Sequence, residues 1–317
     1  MTDRITEDEI KAPHVIIAAG PNGSGKSTIV NKHFLENPAS EFQGEYINAD
    51  EIAKTLEKQI PDYIERNIHA AGIAEQRRIE AIQAGKSFAF ETVMSTPEKV
   101  ALITQAQANG YEVSLIFVST DDPEKNIQRV ANRVALGGHA VQADAIRNRY
   151  HSAMNLLACA VDHADYALII DNSSDKPRDV ASKQGRQLVL HNEEYAPRWV
   201  TEKLVHPYQE RQFSRQILNA VFSNAADNDS EPLPSLCEAD ASNGKIYTGE
   251  IAGVTNYHAL QRVDARVYML HDRMLMATKN IQPEKSITIE YAYDKGKIRE
   301  TVTPLPHLTK KGRLCRM

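Results

Sequence analysis

The stretch Gly20-Pro21-Asn22-Gly23-Ser24-Gly25-Lys26-Ser27 decides how the first part of this chain is read. It fits the pattern G-x-x-x-x-G-K-[ST], follows the apolar run His14–Ala19 and opens a helical pattern at Lys26. In a strand–loop–helix setting such glycines let successive backbone N–H groups converge on phosphate oxygens. The helix that follows adds the positive end of its dipole. The expected nucleotide-binding residues are therefore Gly20, Pro21, Asn22, Gly23, Ser24, Gly25, Lys26, Ser27 and Thr28. Lys26 should reach the β/γ-phosphates and the Ser27 hydroxyl should ligate Mg²⁺.

Outward from the loop, short apolar runs alternate with amphipathic stretches. The runs are His14–Ala19, Glu45–Ala49, Ser87–Phe90, Glu112–Ser119 and Asp165–Ile170, with Gln187–Leu190 as an extension. They are rich in Val, Ile, Phe and Tyr, as buried parallel strands are. The helical stretches are Lys26–Leu35, Ile64–Ala84, Pro97–Asn109, Pro123–Leu136 and Ala143–His163. Thr96 and Asp122 each precede a proline at a first helical position, and Gly110 and Gly137 stand where helices should stop. The alternation predicts an α/β fold with a doubly wound, mostly parallel sheet.

The chain has 317 residues, 42% hydrophobic and 25% charged, which excludes collagen-like, mucin-like and wholly disordered classes. Its net charge of −5 is unevenly placed: residues 243–317 carry +6 and the preceding part −11. A basic tail behind an acidic body suggests two units with different partners. A polar helical stretch at Arg198–Phe222 is followed by a linker-like segment, 224–243, rich in Asp, Asn, Ser and Pro. Short β-type runs then appear at Lys245–Tyr247, Glu250–Val254, Ala265–Leu270, Ser286–Tyr293 and Ile298–Val302, with Asp294-Lys295-Gly296 as a hairpin turn. The expected organisation is a kinase-type domain over 1–223, a linker over 224–243 and a small β-rich domain over 244–317. Cys159, Cys237 and Cys315 are far apart and odd in number, so they offer neither a disulfide framework nor a CxxC zinc pattern. Met1 to Ala12 lack the pattern of a signal peptide, and no apolar run is long enough to span a bilayer. The expected location is the cytoplasm, with no membrane partner.

Two carboxylates follow strand-like runs. In open α/β sheets ligands sit beyond the carboxyl ends of the strands, which places both near a transferred phosphate. Asp50, after Tyr46-Ile47-Asn48-Ala49, suits a general base for an attacking hydroxyl; it equally suits a cap for a helix starting at Glu51. Glu91-Thr92, after Phe88-Ala89-Phe90, suits a substrate hydroxyl or a water on the metal, and equally a cap near Pro97. The apolar run Val113–Ser119 lacks the terminal Asp with which motor- and switch-type NTPases hold Mg²⁺. Asp171 ends a later run, behind a long helical region, and no guanine-reading N-K-x-D is present.

Arg129 and Arg133 share a helix face; Gly137-Gly138-His139 interrupts, and Arg147 and Arg149 follow on a second helix. Two arginine-bearing helices joined by a glycine loop suit a lid that brings guanidinium groups onto phosphates and excludes water. A solvated face is the plainer alternative for each arginine. Arg147 and Arg149 are two residues apart, so one of them at most is expected to face the site.

With these residues in hand, the chain resembles the zeta toxin family of phosphate-loop kinases. The resemblance covers about residues 12–175. It rests on residues 20–28, Ile47-Asn48-Ala49-Asp50, Phe90-Glu91-Thr92, Arg133-Val134-Ala135-Leu136-Gly137-Gly138-His139 and Ile146-Arg147-Asn148-Arg149-Tyr150. The resemblance implies an ATP- and Mg²⁺-dependent kinase acting as the toxin of a toxin–antitoxin pair, with a cognate antitoxin as partner. Its implied acceptor is the 3′-hydroxyl of the amino sugar in UDP-N-acetylglucosamine, whose phosphorylation starves cell-wall synthesis. It also implies Asp50 as general base, Lys26 as catalytic lysine, Arg133 and Arg149 as phosphate-binding arginines, and Asp50, Glu91 and Thr92 as substrate contacts. Relatives acting on NAD, other nucleotide sugars or antibiotics make another small-molecule acceptor the alternative. Residues 243–317, with Tyr247-Thr248-Gly249-Glu250-Ile251, His271-Asp272 and Ile289-Glu290-Tyr291, resemble the small KfrB-type domain of plasmid proteins. That leaves room for a non-enzymatic nucleotide-gated adaptor of plasmid maintenance, with nucleic acid reached through the basic tail.

Overall fold

The strand that feeds the phosphate loop, β1 (His14–Ala19), lies inside a seven-stranded sheet with almost its whole length buried. The structure is a computed structural model that describes residues 12–31, 42, 44–136, 140–192, 194, 196–226 and 233–293. Gly137-Gly138-His139, the expected turn at Asp294-Lys295-Gly296, the run Ile298–Val302 and Cys315 lie outside the described residues. The chain divides into two compact units, Met1–Tyr208 and Gln209–Met317.

In the first unit the strand order is β2 (Glu45–Ile47), β3 (Phe88–Thr92), β1, β4 (Glu112–Ser119), β5 (Tyr166–Asp171), β6 (Arg178–Gln184) and β7 (Gln187–Leu190). β2 to β5 run parallel with β1; β6 and β7 return antiparallel. The predicted doubly wound α/β sheet is the observed one. Because the chain winds outward from β1 in both directions, the crevice beyond its carboxyl end is the topological switch point where ligands bind. The register Ala18↔Glu91 and Ala19↔Thr92 sets the end of β3 directly beside the start of the loop.

The helices are α1 (Lys26–Val30), α2 (Ala49–Leu56), α3 (Tyr63–Gln83), α4 (Pro97–Ala108), α5 (Pro123–Ala135) and α6 (Ala143–His163). Asp122 caps α5 by accepting the Glu124 N–H at 2.9 Å, ahead of Pro123. Gly110 ends the α4 region at φ 84. One core cluster joins Ile16, Ile29, Ala89, Ile116, Val118 and Ile170 across four strands and α1. β6 escapes the sequence reading because Arg178-Asp179-Val180-Ala181-Ser182-Lys183-Gln184 has few apolar residues. Its Lys183 is nevertheless buried, with its ammonium on the Asp162 and Ala164 carbonyls.

Past α7 (Arg198–Val200) and one π turn (Thr201–Val205), α8 (His206–Ala226) continues the predicted helical stretch. The unit boundary at Tyr208/Gln209 precedes the expected linker at 224–243. That segment also contains a strand, β8 (Ser235–Glu238), which pairs parallel with β11. Prolines and acids around Ser235-Leu236-Cys237-Glu238 conceal it in the sequence.

The second unit is a five-stranded sheet in the order β12 (Ser286–Glu290), β9 (Ile246–Val254), β10 (His258–Asp264), β11 (Val267–Asp272), β8. α8 packs Leu218 against Leu260, Tyr268 and Leu270. Its polar residues look solvent-facing in the sequence but three of them are buried: Arg211 pairs with Asp272, Arg215 with the exposed Glu238, and Ser214 with His258 at 2.7 Å. The opposite face gathers the quoted motif. Tyr247, His271 and Tyr291 form a ring cluster, with His271 Nδ1 2.9 Å from the Tyr291 hydroxyl. Gly249 is required because a Cβ there would sit 2.0 Å from the Arg262 carbonyl oxygen. The Gln261 amide links β9 to β12 by donating to Gly249 O and Ile287 O.

Candidate active site

The loop between β1 and α1 is shaped by left-handed backbone. Gly25, at φ 94, stands just before α1, and Gly20, at φ 135, passes within 2.0 Å of Val118 O as measured from an added Cβ. Neither position accepts a side chain without strain. Lys26 Nζ donates to Pro21 O at 2.9 Å, folding back over its own loop. Burial pushes the Lys26 ammonium down to about 8; the neighbouring Arg133 charge pushes the same way, while Glu91 and Asp50 oppose it. Asp50, Glu91 and Arg133 thus each lie within electrostatic reach of Lys26, although the four residues come from four different elements.

Glu91 closes the second side. Its Oε2 accepts the Ser27 hydroxyl at 2.8 Å. Its Oε1 accepts the Tyr46 hydroxyl and, at 3.4 Å, the Asn48 amide. Asn48 Nδ2 also donates to the Tyr46 oxygen at 3.1 Å. A serine hydroxyl and a carboxylate side by side form an all-oxygen donor set, which suits a hard cation such as Mg²⁺. β4, the other neighbour of β1, ends in Ser119 and carries no terminal acid. β3 is the strand beside β1 on this side, and its acid is Glu91.

Asp50 is exposed in the first turn of α2. Asn48, not Asp50, caps that helix, with its side chain accepting the N–H groups of Asp50 at 2.8 Å and Glu51 at 3.4 Å. The signal was present in the sequence, since Asn48 and Glu51 have the spacing of a capping box. Thr92 Oγ1 accepts the Met94 N–H at 3.1 Å, and so shapes the turn after β3 where Met94 sits at φ 53.

The arginines of α5 and α6 separate. Arg149 reaches Asn22 in the loop, Nη1 to Oδ1 3.4 Å. Arg147 turns away to Glu124 at 2.6 Å and Asp144 at 2.9 Å. Arg129 is half-buried, with one guanidinium nitrogen lacking a partner among the described residues. Asp171 is buried and holds Ser173, Arg178 and the Trp199 indole N–H, which makes it a junction of the fold. Next to it, Asn172 donates to Ser24 O at 2.7 Å and braces the loop from β5, a contact the sequence reading missed.

A phosphate loop at the switch point, flanked by two carboxylates and facing arginines, defines the site of a P-loop kinase. The zeta toxin profile matches residues 1–195, and the chain belongs to the zeta toxin family. A second profile, the KfrB domain, matches residues 246–300. An uncharacterised protein of Haemophilus influenzae is 29% identical over 137 residues, which are 43% of this chain and 91% of that protein. A chain of the PezAT chromosomal toxin–antitoxin system of Streptococcus pneumoniae superposes with a TM-score of 0.42 at 20% identity, covering 66% of this chain and 87% of that one. The complex AvrRxo1-ORF1:AvrRxo1-ORF2 gives a TM-score of 0.45 at 14% identity, covering 57% of this chain and 62% of its own. The present chain thus spans less than two thirds of that relative. No helix among the described residues is long and apolar enough to cross a membrane.

Proposed function

We propose that this protein is an ATP-dependent kinase that phosphorylates a hydroxyl group of a nucleotide sugar. The acceptor is the 3′-hydroxyl of the amino sugar of UDP-N-acetylglucosamine or of a close relative. The observation that carries the reading is the position of Asp50: relieved of capping by Asn48, its exposed carboxylate lies within electrostatic reach of Lys26. A base next to the phosphate-binding lysine is what transfer to an alcohol requires.

In this reading the backbone of residues 20–28 cradles the phosphates of ATP, and Lys26 leaves Pro21 O to meet them. Asp50 hydrogen-bonds the acceptor hydroxyl and takes its proton late in the transfer. Arg133 and Arg149 lie against the charge that spreads over the transferred group. Glu91 and Thr92 line the acceptor side. Ser27, with Glu91 beside it, would hold Mg²⁺, which when bound neutralises phosphate charge. The product is a dead end for cell-wall synthesis, so the producing cell needs a cognate antitoxin. In the second unit Arg211, Arg215 and Arg262 are paired with Asp272, Glu238 and Glu250. This supports a folded binding module over a nucleic-acid surface.

The test is mass spectrometry of a nucleotide-sugar pool incubated with protein, ATP and Mg²⁺. A single sugar gaining one phosphate is the expected result. ATP binding without transfer to any member of the pool would refute the nucleotide-sugar acceptor.

A further inference from the structure

Glu91 is tethered at both carboxylate oxygens, and the two tethers differ in kind. Oε2 faces Ser27 at 2.8 Å, on the phosphate side. Oε1 is held from behind by Tyr46 and Asn48, both at the end of β2. The register Ile47↔Phe90 sets these two residues on either side of the strand position beside Phe90, the residue before Glu91. A glutamate has three rotatable bonds, and ordering so long a side chain costs entropy. Here a phenol and an amide hold that order before any ligand arrives. Asn48 adds a second link. Its oxygen caps α2 and so places Asp50, while its nitrogen holds the Tyr46–Glu91 pair. One side chain therefore fixes the carboxylate beside Ser27 and the start of the helix that carries Asp50.

We propose that Tyr46 is a positioning residue for a divalent cation. Its hydroxyl anchors one oxygen of Glu91 so that the other stays at Ser27, and Asn48 supports that anchor. The inference rests on the kinase reading of the site, because it takes the cation to be the one that accompanies ATP. Tyr46 does not touch the cation. It removes the rotation that would let the Glu91 carboxylate swing away.

The test is Mn²⁺ binding, followed by electron paramagnetic resonance, in the presence of adenylyl imidodiphosphate, an ATP analogue with a non-hydrolysable terminal bridge. Loss of a group that orients a metal ligand typically costs about 10–100-fold in metal affinity. Tyr46→Phe keeps the ring and should weaken Mn²⁺ binding by about that factor. Affinity for the analogue measured in excess chelator should stay unchanged. Asn48→Ser retains a capping side chain but loses the amide donor, and should weaken Mn²⁺ binding in the same direction by a smaller factor. It also serves as the probe if Tyr46→Phe does not fold. In Glu91→Gln protein the further change Tyr46→Phe should add little. Wild-type Mn²⁺ affinity in a folded variant of either residue would overturn the proposal, as would equal losses with and without metal. No acceptor is present in this experiment. Weakened Mn²⁺ binding together with no phosphorylated sugar would keep the role of Tyr46 and discard the acceptor reading alone.

Discussion

Asn48 accepts the backbone N–H of Asp50 at 2.8 Å, so the cap of α2 falls to Asn48 and the Asp50 side chain is left out of it. Asn48 starts α2, and Asp50 points its carboxylate from the first turn without capping it. Asp50→Asn should therefore leave folding and ATP binding close to wild type, since the cap is intact. Phosphoryl transfer should fall about 10²–10⁴-fold, because an amide cannot take the hydroxyl proton. Turnover in the presence of acceptor, together with a melting curve, decides it. Near-normal turnover by the folded variant would remove Asp50 as the base.

Lys26 sets a pH limit on the free protein. Its ammonium is held down to about 8, first by burial and then by Arg133. The charged form that phosphate needs is present below that value and is lost as pH rises through it. At pH 9 roughly a tenth of an isolated group with that pKa remains charged. ATP affinity should therefore fall about tenfold between pH 7 and 9, well before an ordinary lysine would titrate. Arg133→Ala removes a like charge and should move the fall to higher pH. Calorimetric titration of ATP across pH checks both. A flat profile up to pH 10 would show that Lys26 is not held in this way.

Much of the first unit is legible from the sequence because each signal there is local. An apolar run, a glycine loop and a proline behind an aspartate all act within a few residues. β1, β4 and the α6 region emerge close to their predicted ends for that reason. What escapes depends on partners distant along the chain. Arg178–Gln184 becomes a strand because β5 offers it an antiparallel edge. Ser235–Glu238 becomes one because β11 does. At the site, Lys26, Ser27 and Asp50 stand out by pattern, but Tyr46 gains its role only from a carboxylate 45 positions away.

The two arginines of Ile146-Arg147-Asn148-Arg149-Tyr150 should behave oppositely. Arg147 is engaged with Glu124 and Asp144 on the outer side of the lid region. Exposed pairs of this kind contribute little, because solvent screens them, so Arg147→Ala should lower stability slightly and leave turnover near wild type. Arg149 reaches the loop through Asn22. Loss of a preorganised donor at a developing charge costs about 10²–10³-fold, and Arg149→Ala should show a loss of that order in kcat. Steady-state kinetics of the two variants side by side distinguish them; equal effects would mean that the lid turns both inward on closing.

The second unit should be acid-sensitive through His271. The imidazole is fully buried between Tyr247 and Tyr291, and burial pushes it down to about 3 against a weak opposing pull from Glu238. In the unfolded chain the same group takes a proton near 6.5. Between those two values the unfolded state binds a proton that the folded state refuses, so stability rises with pH there. The contribution is complete above about pH 6.5 and is lost as pH falls toward 3, at a slope approaching about 1.4 kcal/mol per pH unit. Hydrogen exchange of the full-length protein reads this directly. After correction for intrinsic exchange rates, amides of β10 and β11 should lose about tenfold in protection for each unit below pH 6. His271→Phe keeps a ring against Tyr291 and gives up the Nδ1 bond. It should be less stable at pH 7.5 but should lack that added slope. An unchanged slope in the phenylalanine variant would assign the acid sensitivity to carboxylates of the unit and leave His271 a packing residue.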